Sequence, residues 1–264
     1  MTAPLKFCAN LKWLFTEVPF EARFTAAAEA GFAAVEYASP YPYPPAVLHG
    51  LLRDAGLTQI LINTPTASPG SPGDAGTAGL PGAERVFRSD IHRALDYAGA
   101  LDCRLVHVMS GTRPAGLSRD RVFGTLLDNL SWAAEQAAQG GVRLVIEAIN
   151  HGDRPGYLLE TQEEAAAVVE AVDTDHLGVL FDVYHCAVTQ GDVVTRLQTL
   201  DPWIFHVQVA DIPQRGEPGT GEMKWEPIFE QLRRSRHDRW IGCEYQPTVS
   251  TALGLDWLAK FGAR

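Results

Sequence analysis

The sequence predicts an α/β protein with the fold of a single (β/α)8 barrel, the TIM-barrel architecture. Three observations support this prediction. A length of 264 residues suits one such barrel, strand-like and helix-like segments alternate throughout, and the strand-like segments are almost continuously apolar. No GxGxxG motif follows the first strand, which weakens the alternative of an open dinucleotide-binding sheet. We therefore expect one barrel domain covering residues 1–264.

Eight short apolar runs predict strands that are buried on both faces, as the parallel strands of α/β proteins are. These runs are residues 5–11, 33–38, 58–63, 104–109, 142–149, 177–184, 203–210 and 239–245. Regular alternation with helices indicates a parallel sheet, and eight repeats favour its closure into a barrel.

Eight helices are predicted from apolar residues that recur at helical spacing, together with start and stop signals. They cover residues 20–30, 45–55, 83–100, 119–139, 161–172, 192–200, 225–235 and 251–261. Gly31 and Gly56 end the first two helices, and Ser118 is a candidate N-cap. Thr161 and Glu164 have the spacing of a capping box.

Residues 65–82 interrupt the alternation. The segment is rich in Pro, Gly, Ser and Ala and has no apolar period. A long irregular segment inside a compact domain is often a lid or a binding loop. The alternative of a disordered surface insertion stays open at this level.

The charge balance bears on the class of partner. The formal net charge is −10, from 22 Lys and Arg against 32 Asp and Glu, which disfavours nucleic acid and anionic membranes as partners. No apolar run approaches the roughly 18–20 residues of a membrane span, and residues 1–6 do not resemble a signal peptide. We expect a cytoplasmic protein. The four cysteines form no CxxC pair and are expected to be buried thiols.

Four predicted strands end with one oxygen-bearing side chain each. These side chains are Glu147, Asp182, Gln208 and Glu244. A single one would be explained by a loop cap or a surface ion pair. Because the active sites of (β/α)8 enzymes lie at the C-terminal ends of the strands, four in series predict one shared site. Three carboxylates and an amide oxygen suit a divalent cation such as Mg²⁺, or Mn²⁺.

Two further residues are candidates for contact with a substrate. His185 follows Asp182 by three residues, and Arg215 opens the Gly-rich segment 215–222 after the seventh strand. Arginine matches a carboxylate or phosphate with its planar fork, although the segment could also be only a turn. His206 precedes Gln208 by two and faces the same side of its strand, in a supporting or a purely structural role.

Two glutamates beside a divalent cation suit proton transfer between adjacent carbons. One carboxylate removes a proton next to a carbonyl, and the other returns it to the neighbouring carbon. This is the chemistry of an aldose–ketose isomerase, and it needs no organic cofactor. Glu147 and Glu244 are the candidates.

At these residues the chain resembles the hydroxypyruvate isomerase family, within the xylose-isomerase-like barrel superfamily. The resemblance rests on residues 7–11, 31–36, 63–65, 146–150, 181–185, 206–211, 215–222 and 242–245. It implies that Glu147 and Glu244 are the catalytic pair and metal ligands, that Asp182 and Gln208 complete the ligands, and that His185 and Arg215 bind substrate oxygens. Arg215 would take the carboxylate.

The resemblance favours conversion of hydroxypyruvate to tartronate semialdehyde, in glyoxylate or sugar-acid breakdown. Alternatives are a 2-oxo-tetronate or small-ketose isomerase or epimerase, a polyol dehydratase, an abasic-site endonuclease and a barrel that only binds a sugar acid. Net charge disfavours the endonuclease, and two opposed glutamates disfavour the pure binder. Ala148 stands where the family usually has Pro. The partner is expected to be a small hydroxy or oxo acid, and a homo-oligomer is compatible with the resemblance.

Overall fold

The computed structural model describes residues 4–235 and 239–261. The predicted domain, 1–264, therefore extends beyond the described residues at both ends. The described strands all pair in parallel, in the order β3-β2-β1-β9-β8-β7-β6-β5-β4. They are β1 (Lys6–Asn10), β2 (Ala34–Glu36), β3 (Thr58–Gln59), β4 (Leu61–Asn63), β5 (Leu105–His107), β6 (Arg143–Glu147), β7 (Leu177–Asp182), β8 (Ile204–Val209) and β9 (Trp240–Cys243).

The barrel closes where β3 and β4 meet. Only Ile60 separates these two short strands, which together form the third strand predicted from the sequence. The backbone N–H of Ile60 donates to the carbonyl of Val35 over 2.9 Å, and the N–H of Tyr37 donates to the carbonyl of Leu61 over 3.3 Å. The ladder from β2 therefore continues onto β4, and the predicted (β/α)8 barrel is confirmed.

Helices cover the outside of the barrel. They are α1 (Ala22–Glu29), α2 (Pro45–Ala55), α3 (Glu84–Ala100), α4 (Arg119–Gln139), α5 (Gln162–Val172), α6 (Val183–Thr189), α7 (Val193–Thr199), α8 (Trp225–Arg234) and α9 (Asp256–Lys260). The caps at Ser118 and Gly56 are confirmed, as is the capping box of Thr161 and Glu164. Among the described residues, none of these helices combines the length and apolar character that crossing a bilayer requires.

One predicted boundary is wrong at the site. The sequence predicts a strand over residues 177–184, but β7 ends at Asp182 and α6 begins at Val183. Asp182 Oδ1 accepts a hydrogen bond from the Tyr184 N–H over 2.7 Å and caps the new helix. Because the apolar run continues past Asp182, periodicity alone does not show this turn. The cap holds the Asp182 carboxylate at the mouth of the barrel.

Alternation along the strands separates two layers inside the barrel. The lower layer is apolar and contains a small separate cluster of Leu61, Leu105, Val145 and Leu180. Two residues further along the same strands lie Asn63, His107, Glu147 and Asp182. An apolar plug thus supports a polar upper layer, as expected when barrel interiors fill with layers of side chains.

Residues 65–82 have no regular helix or strand, yet part of the segment is packed. Residues 75–79 are buried. Asn129 on α4 donates to the carbonyl of Ala78 over 2.7 Å, and the Gly79 N–H donates to the carbonyl of Ser110 over 2.9 Å. The alternative of a disordered insertion therefore does not describe residues 75–79. A lid role for the exposed part stays a prediction.

We expect Gly76→Ala to destabilise the protein by about 1–3 kcal/mol, the usual range for overpacking. Gly76 has φ +104°, and a Cβ there would lie 2.1 Å from the carbonyl oxygen of Met109, which is backbone and cannot move aside cheaply. The matched control is Gly70→Ala, because Gly70 has φ +80° and open space around it. Urea unfolding of both variants separates the clash from backbone strain. Equal losses would contradict the packing of this segment.

Candidate active site

The four predicted strand-end residues converge on one space at the C-terminal mouth. Glu147 and Asp182 end β6 and β7, Gln208 is the penultimate residue of the neighbouring β8, and all three are at most 5% exposed. Asp182 and Gln208 are partners in the β7–β8 register, and Glu244 follows the last residue of β9. The Glu244 side chain is 15% exposed. The structure thus brings together the residues that the sequence singled out.

Glu36, at the end of β2, is the buried centre of a hydrogen-bond network beneath this space. Its carboxylate accepts from Asn10 Nδ2 over 2.9 Å, Gln208 Nε2 over 2.7 Å, His206 Nε2 over 2.6 Å and Cys8 Sγ over 3.4 Å. Burial opposes ionisation, but the adjacent His206 and the hydrogen bonds lower the pKa of Glu36 below its ordinary value. Because the Gln208 amide nitrogen donates to Glu36 below the mouth, its carbonyl oxygen is the atom that can face the mouth.

Glu147 is the least compensated carboxylate of the group. Its Oε1 is buried and has no hydrogen-bond partner among the described residues. Burial raises the pKa of Glu147 well above its ordinary value, and the charges of Asp182 and Glu244 raise it further. Burial likewise raises the pKa of Asp182 to about 6 and that of Glu244 to about 7, although Arg215 opposes both shifts. The site therefore holds acids whose pKa values lie near neutrality, which favours proton transfer.

Arg215 lies between the carboxylates. Its Nη1 donates to Asp153 over 3.0 Å, and its Nη2 donates to Asp182 and to Glu244 over 3.2 Å each. Its Nε is buried without a partner among the described residues. The guanidinium thus neutralises part of the acidic cluster and keeps one buried donor available.

Aromatic rings hold the guanidinium in place. The Arg215 carbon Cζ lies 4.8 Å from the centre of the Trp13 ring and 4.7 Å from that of Tyr184. Trp13 Nε1 also donates to Glu244 Oε1 over 3.1 Å. Stacking of this kind restricts the side chain to one orientation. Trp13 therefore lines the site.

His185 faces the same space as a neutral ring. Burial and the nearby Arg215 lower the pKa of His185 to about 3. The backbone N–H of Asn150 donates to its Nδ1 over 3.4 Å, so the ring carries its hydrogen on Nε2. That Nε2 lies 3.5 Å from Asp182 Oδ2 and 3.7 Å from Glu147 Oε1. His185 thus offers a hydrogen-bond donor towards the mouth.

The donor set suits a hard divalent cation. Single ligand atoms of Glu147, Asp182 and His185 lie within 4.8 Å of one another. The Oε1 of Glu147, which has no hydrogen-bond partner among the described residues, and the carbonyl oxygen of Gln208 are oxygen atoms that could coordinate the cation. The Nε2 of His185 carries a hydrogen in this tautomer and is not a ligand atom. An oxygen-rich set of this composition fits Mg²⁺ or Mn²⁺ better than Zn²⁺.

Comparisons with known proteins place the chain in a family. Residues 24–261 match the sequence profile described as "Xylose isomerase-like TIM barrel". The chain belongs to this xylose isomerase-like family. It is 43% identical to the 2-oxo-tetronate isomerase of Cupriavidus necator, covering 98% of this chain and 99% of the relative. It is 37% identical to the hydroxypyruvate isomerase of Escherichia coli, covering 97% and 99%. These two relatives confirm the predicted enzyme class, an isomerase.

One solved crystal structure superimposes closely on the chain. It is the crystal structure called "AP endonuclease, family 2" from Brucella melitensis, with a TM-score of 0.94 and 38% identity. The match covers 98% of this chain and 100% of the other. The barrel described above is therefore shared along its full length with this relative.

Glu36, Asn150 and Asp153 are among the contributors to the site that were not predicted from the sequence. Glu36 ends β2 as Glu147 ends β6, and this shared position at a strand end is the signal that could have found it. Asn150 and Asp153 lie in the loop after β6, where they contact His185 and Arg215. No pattern marks loop residues of this kind, because their contacts depend on how the loop turns.

Proposed function

We propose that the protein isomerises a short 2-oxo acid that carries a hydroxyl on C3, either hydroxypyruvate or a 2-oxo-tetronate. The observation that carries this proposal is the pair Glu147 and Glu244, buried or nearly so at one mouth with raised pKa values. Relatives named for these two substrates support the same class of substrate.

In the proposed reaction a proton moves between C3 and C2. One of the two glutamates takes the C3 proton, and the electron pair left behind forms an enediolate with the C2 carbonyl. The other glutamate delivers a proton to C2, while the hydroxyl proton passes from the C3 oxygen to the C2 oxygen. The products are a carbonyl at C3 and a hydroxyl at C2, so atoms and electrons balance.

The remaining residues would bind and orient the substrate. His185 presents an Nε2 hydrogen and Arg215 an unpartnered Nε hydrogen, and both suit the oxygens of the reacting carbons. A divalent cation such as Mg²⁺ or Mn²⁺, held by Glu147, Asp182, Gln208 and Glu244, would stabilise negative charge developing on those oxygens. Glu36 would orient the amide of Gln208.

The test is NMR of metal-loaded protein in D2O with hydroxypyruvate, with 2-oxo-tetronate and with a neutral ketose. Conversion of either acid with solvent deuterium entering the product is expected. Conversion of the neutral ketose alone would contradict the proposal. Loss of water from the substrate would instead indicate the dehydratase, which begins with the same proton abstraction.

The endonuclease activity named for the Brucella relative is not part of the proposal. Binding of a nucleic-acid backbone requires a positively charged surface. This protein has a net charge of −10 and an acidic mouth. Incubation with a duplex that contains an abasic site is the direct check. Strand cleavage that is lost in the Glu147→Gln variant would overturn this exclusion.

Stabilisation by Mg²⁺ or Mn²⁺ is expected to grow as the pH rises from about 5.5 to 8. In the metal-free protein, burial raises the pKa of Asp182 to about 6 and that of Glu244 to about 7. Groups with raised pKa values favour the folded state while protonated, and this contribution is lost as the pH rises through those values. A cation binds the deprotonated acids and offsets the loss. Thermal unfolding with and without Mn²⁺ across this range checks the sign; a shift in Tm independent of pH would contradict it.

A further inference from the structure

A cavity of about 420 Å³ lies at the mouth of the barrel, on the side opposite the strands that carry Asp182 and Gln208. It is formed by segments that follow β1, β2, β4 and β5, together with the loop after β6. We call it the cationic pocket; its polar lining includes Lys12, Tyr41, Asn63, Asp74, Arg93 and Arg154.

The lining has an excess of positive charge. Lys12, Arg93 and Arg154 contribute three cations against the single carboxylate of Asp74. Asp74 is partly occupied, because its Oδ2 accepts from the Gly70 N–H over 2.8 Å and lies 4.0 Å from Arg154 Nη1. Three cations therefore face one carboxylate within the lining, and Asp90, on the same helix as Arg93, partly offsets Arg93 from outside it. A ligand with a negative group would compensate the excess positive charge.

Lys12 is the cation best placed to receive such a group. It forms no ion pair with the described residues, and its Nζ lies 5.5 Å from the centre of the Trp13 ring. Trp13 donates in turn to Glu244. Arg154, on the other side of the lining, lies in the loop that follows Glu147 at the end of β6. The pocket therefore adjoins the two proposed proton-transfer residues.

Arg215 is poorly suited to hold a substrate carboxylate. Both of its terminal nitrogens already donate to carboxylates of the protein, Asp153, Asp182 and Glu244. Three of its five N–H hydrogens are therefore engaged, including both on Nη2, so no edge of the guanidinium keeps the two free parallel donors with which arginine recognises a carboxylate. Taking the substrate carboxylate would break an existing ion pair.

We propose that the cationic pocket is the carboxylate subsite, with Lys12 and Arg154 as the binding residues. The inference rests on the proposed function, because a 2-oxo acid carries its carboxylate on the carbon next to the reacting pair. When C2 and C3 of the substrate lie between Glu147 and Glu244, the carboxylate attached to C2 lies in the adjoining cationic pocket. The pocket would therefore select acids over neutral ketoses, whatever group extends from C3.

Binding of erythronate, a four-carbon acid that cannot isomerise, tests the subsite without turnover. Calorimetric titration of Mg²⁺-loaded protein compares erythronate with its neutral amide, erythronamide. Wild type is expected to prefer the acid. Lys12→Met and Arg154→Gln are each expected to weaken erythronate binding about tenfold or more and to leave erythronamide binding unchanged, since a charge-assisted hydrogen bond is lost.

Two exposed cations outside the pocket provide matched controls. Lys260→Met and Arg53→Gln remove residues that pair with Glu226 and Asp54, and neither should change the preference for the acid. A preference that survives in both pocket variants would overturn the subsite, as would equal weakening of acid and amide. If erythronate binds through Lys12 while no oxo acid is isomerised in D2O, the proposed function fails and the anion subsite stands.

Discussion

Replacing Glu147 or Glu244 with glutamine is expected to reduce kcat by about 10²–10⁴-fold, the usual contribution of a general acid or base. Glutamine keeps the shape of the side chain and an oxygen donor but cannot carry the proton. Steady-state turnover of the substrate identified by NMR measures the loss. Near-native activity of either variant would show that proton transfer does not depend on the pair.

Hydrogen exchange can assign the two glutamates to the two substrate carbons. Each single variant keeps one base, so it should exchange deuterium at one carbon of the substrate or product while failing to complete isomerisation. The two variants should exchange at opposite carbons, and the double variant at neither. Exchange at the same carbon in both variants would contradict one glutamate for each carbon.

The Glu147→Gln substitution should not unfold the protein. Glu147 Oε1 is buried without a partner, and burial raises its pKa, so a neutral amide costs less to bury than the ionised acid. We expect the metal-free Glu147→Gln variant to have a Tm at neutral pH at least equal to that of wild type. The control for both kcat and Tm is Glu160→Gln, because Glu160 is an exposed glutamate that follows β6, the strand that ends at Glu147.

Replacing Glu36 with glutamine is expected to weaken Mn²⁺ binding by about 10–100-fold, as substitutions behind metal ligands typically do. A glutamine at 36 has its own NH2 group, which must face one of the donors now served by the carboxylate. If the Gln208 amide rotates to accept from it, Gln208 turns hydrogens rather than oxygen towards the mouth. We therefore predict that the Glu36 carboxylate acts by positioning Gln208 and does not itself contact the metal ion.

Calorimetric titration with Mn²⁺ separates this positioning role from a structural one. A purely structural role would lower the Tm and leave Mn²⁺ affinity unchanged, and this outcome would contradict the prediction. Asp90→Asn is the matched control, because Asp90 is a half-buried acid that bonds Thr77 outside the active site. Its affinity for Mn²⁺ should equal that of wild type.

The fold was predictable because its determinants are local. Apolar runs, capping residues and glycine stops each depend on a few neighbouring residues, and eight repeats admit one simple closure. The grouping of Glu147, Asp182, Gln208 and Glu244 followed as well, because parallel strands in a barrel bring their C-terminal ends to one mouth. Their roles in catalysis and metal binding stay predictions.

Other features depend on contacts between residues far apart in the chain. The ion pairs of Arg215 involve the loops after β6 and β8, and no sequence pattern in either loop predicts a contact with the other. Burial of residues 75–79 involves a close backbone approach at Gly76, whereas the composition left both a lid or binding loop and a disordered surface insertion open. The short helix after Asp182 depends on a single cap within a continuing apolar run. Each of these was missed or left open for that reason.

Gly242 on β9 gives Glu36 the room it occupies. A Cβ at position 242 would lie 2.3 Å from Glu36 Oε1 and no more than 2.6 Å from the rest of its carboxyl group. A carboxylate at 36 and a side chain at 242 therefore exclude each other, although the positions lie near opposite ends of the sequence. The two sites should covary during evolution, and any lineage that acquires a larger residue at 242 must first give up the acid at 36.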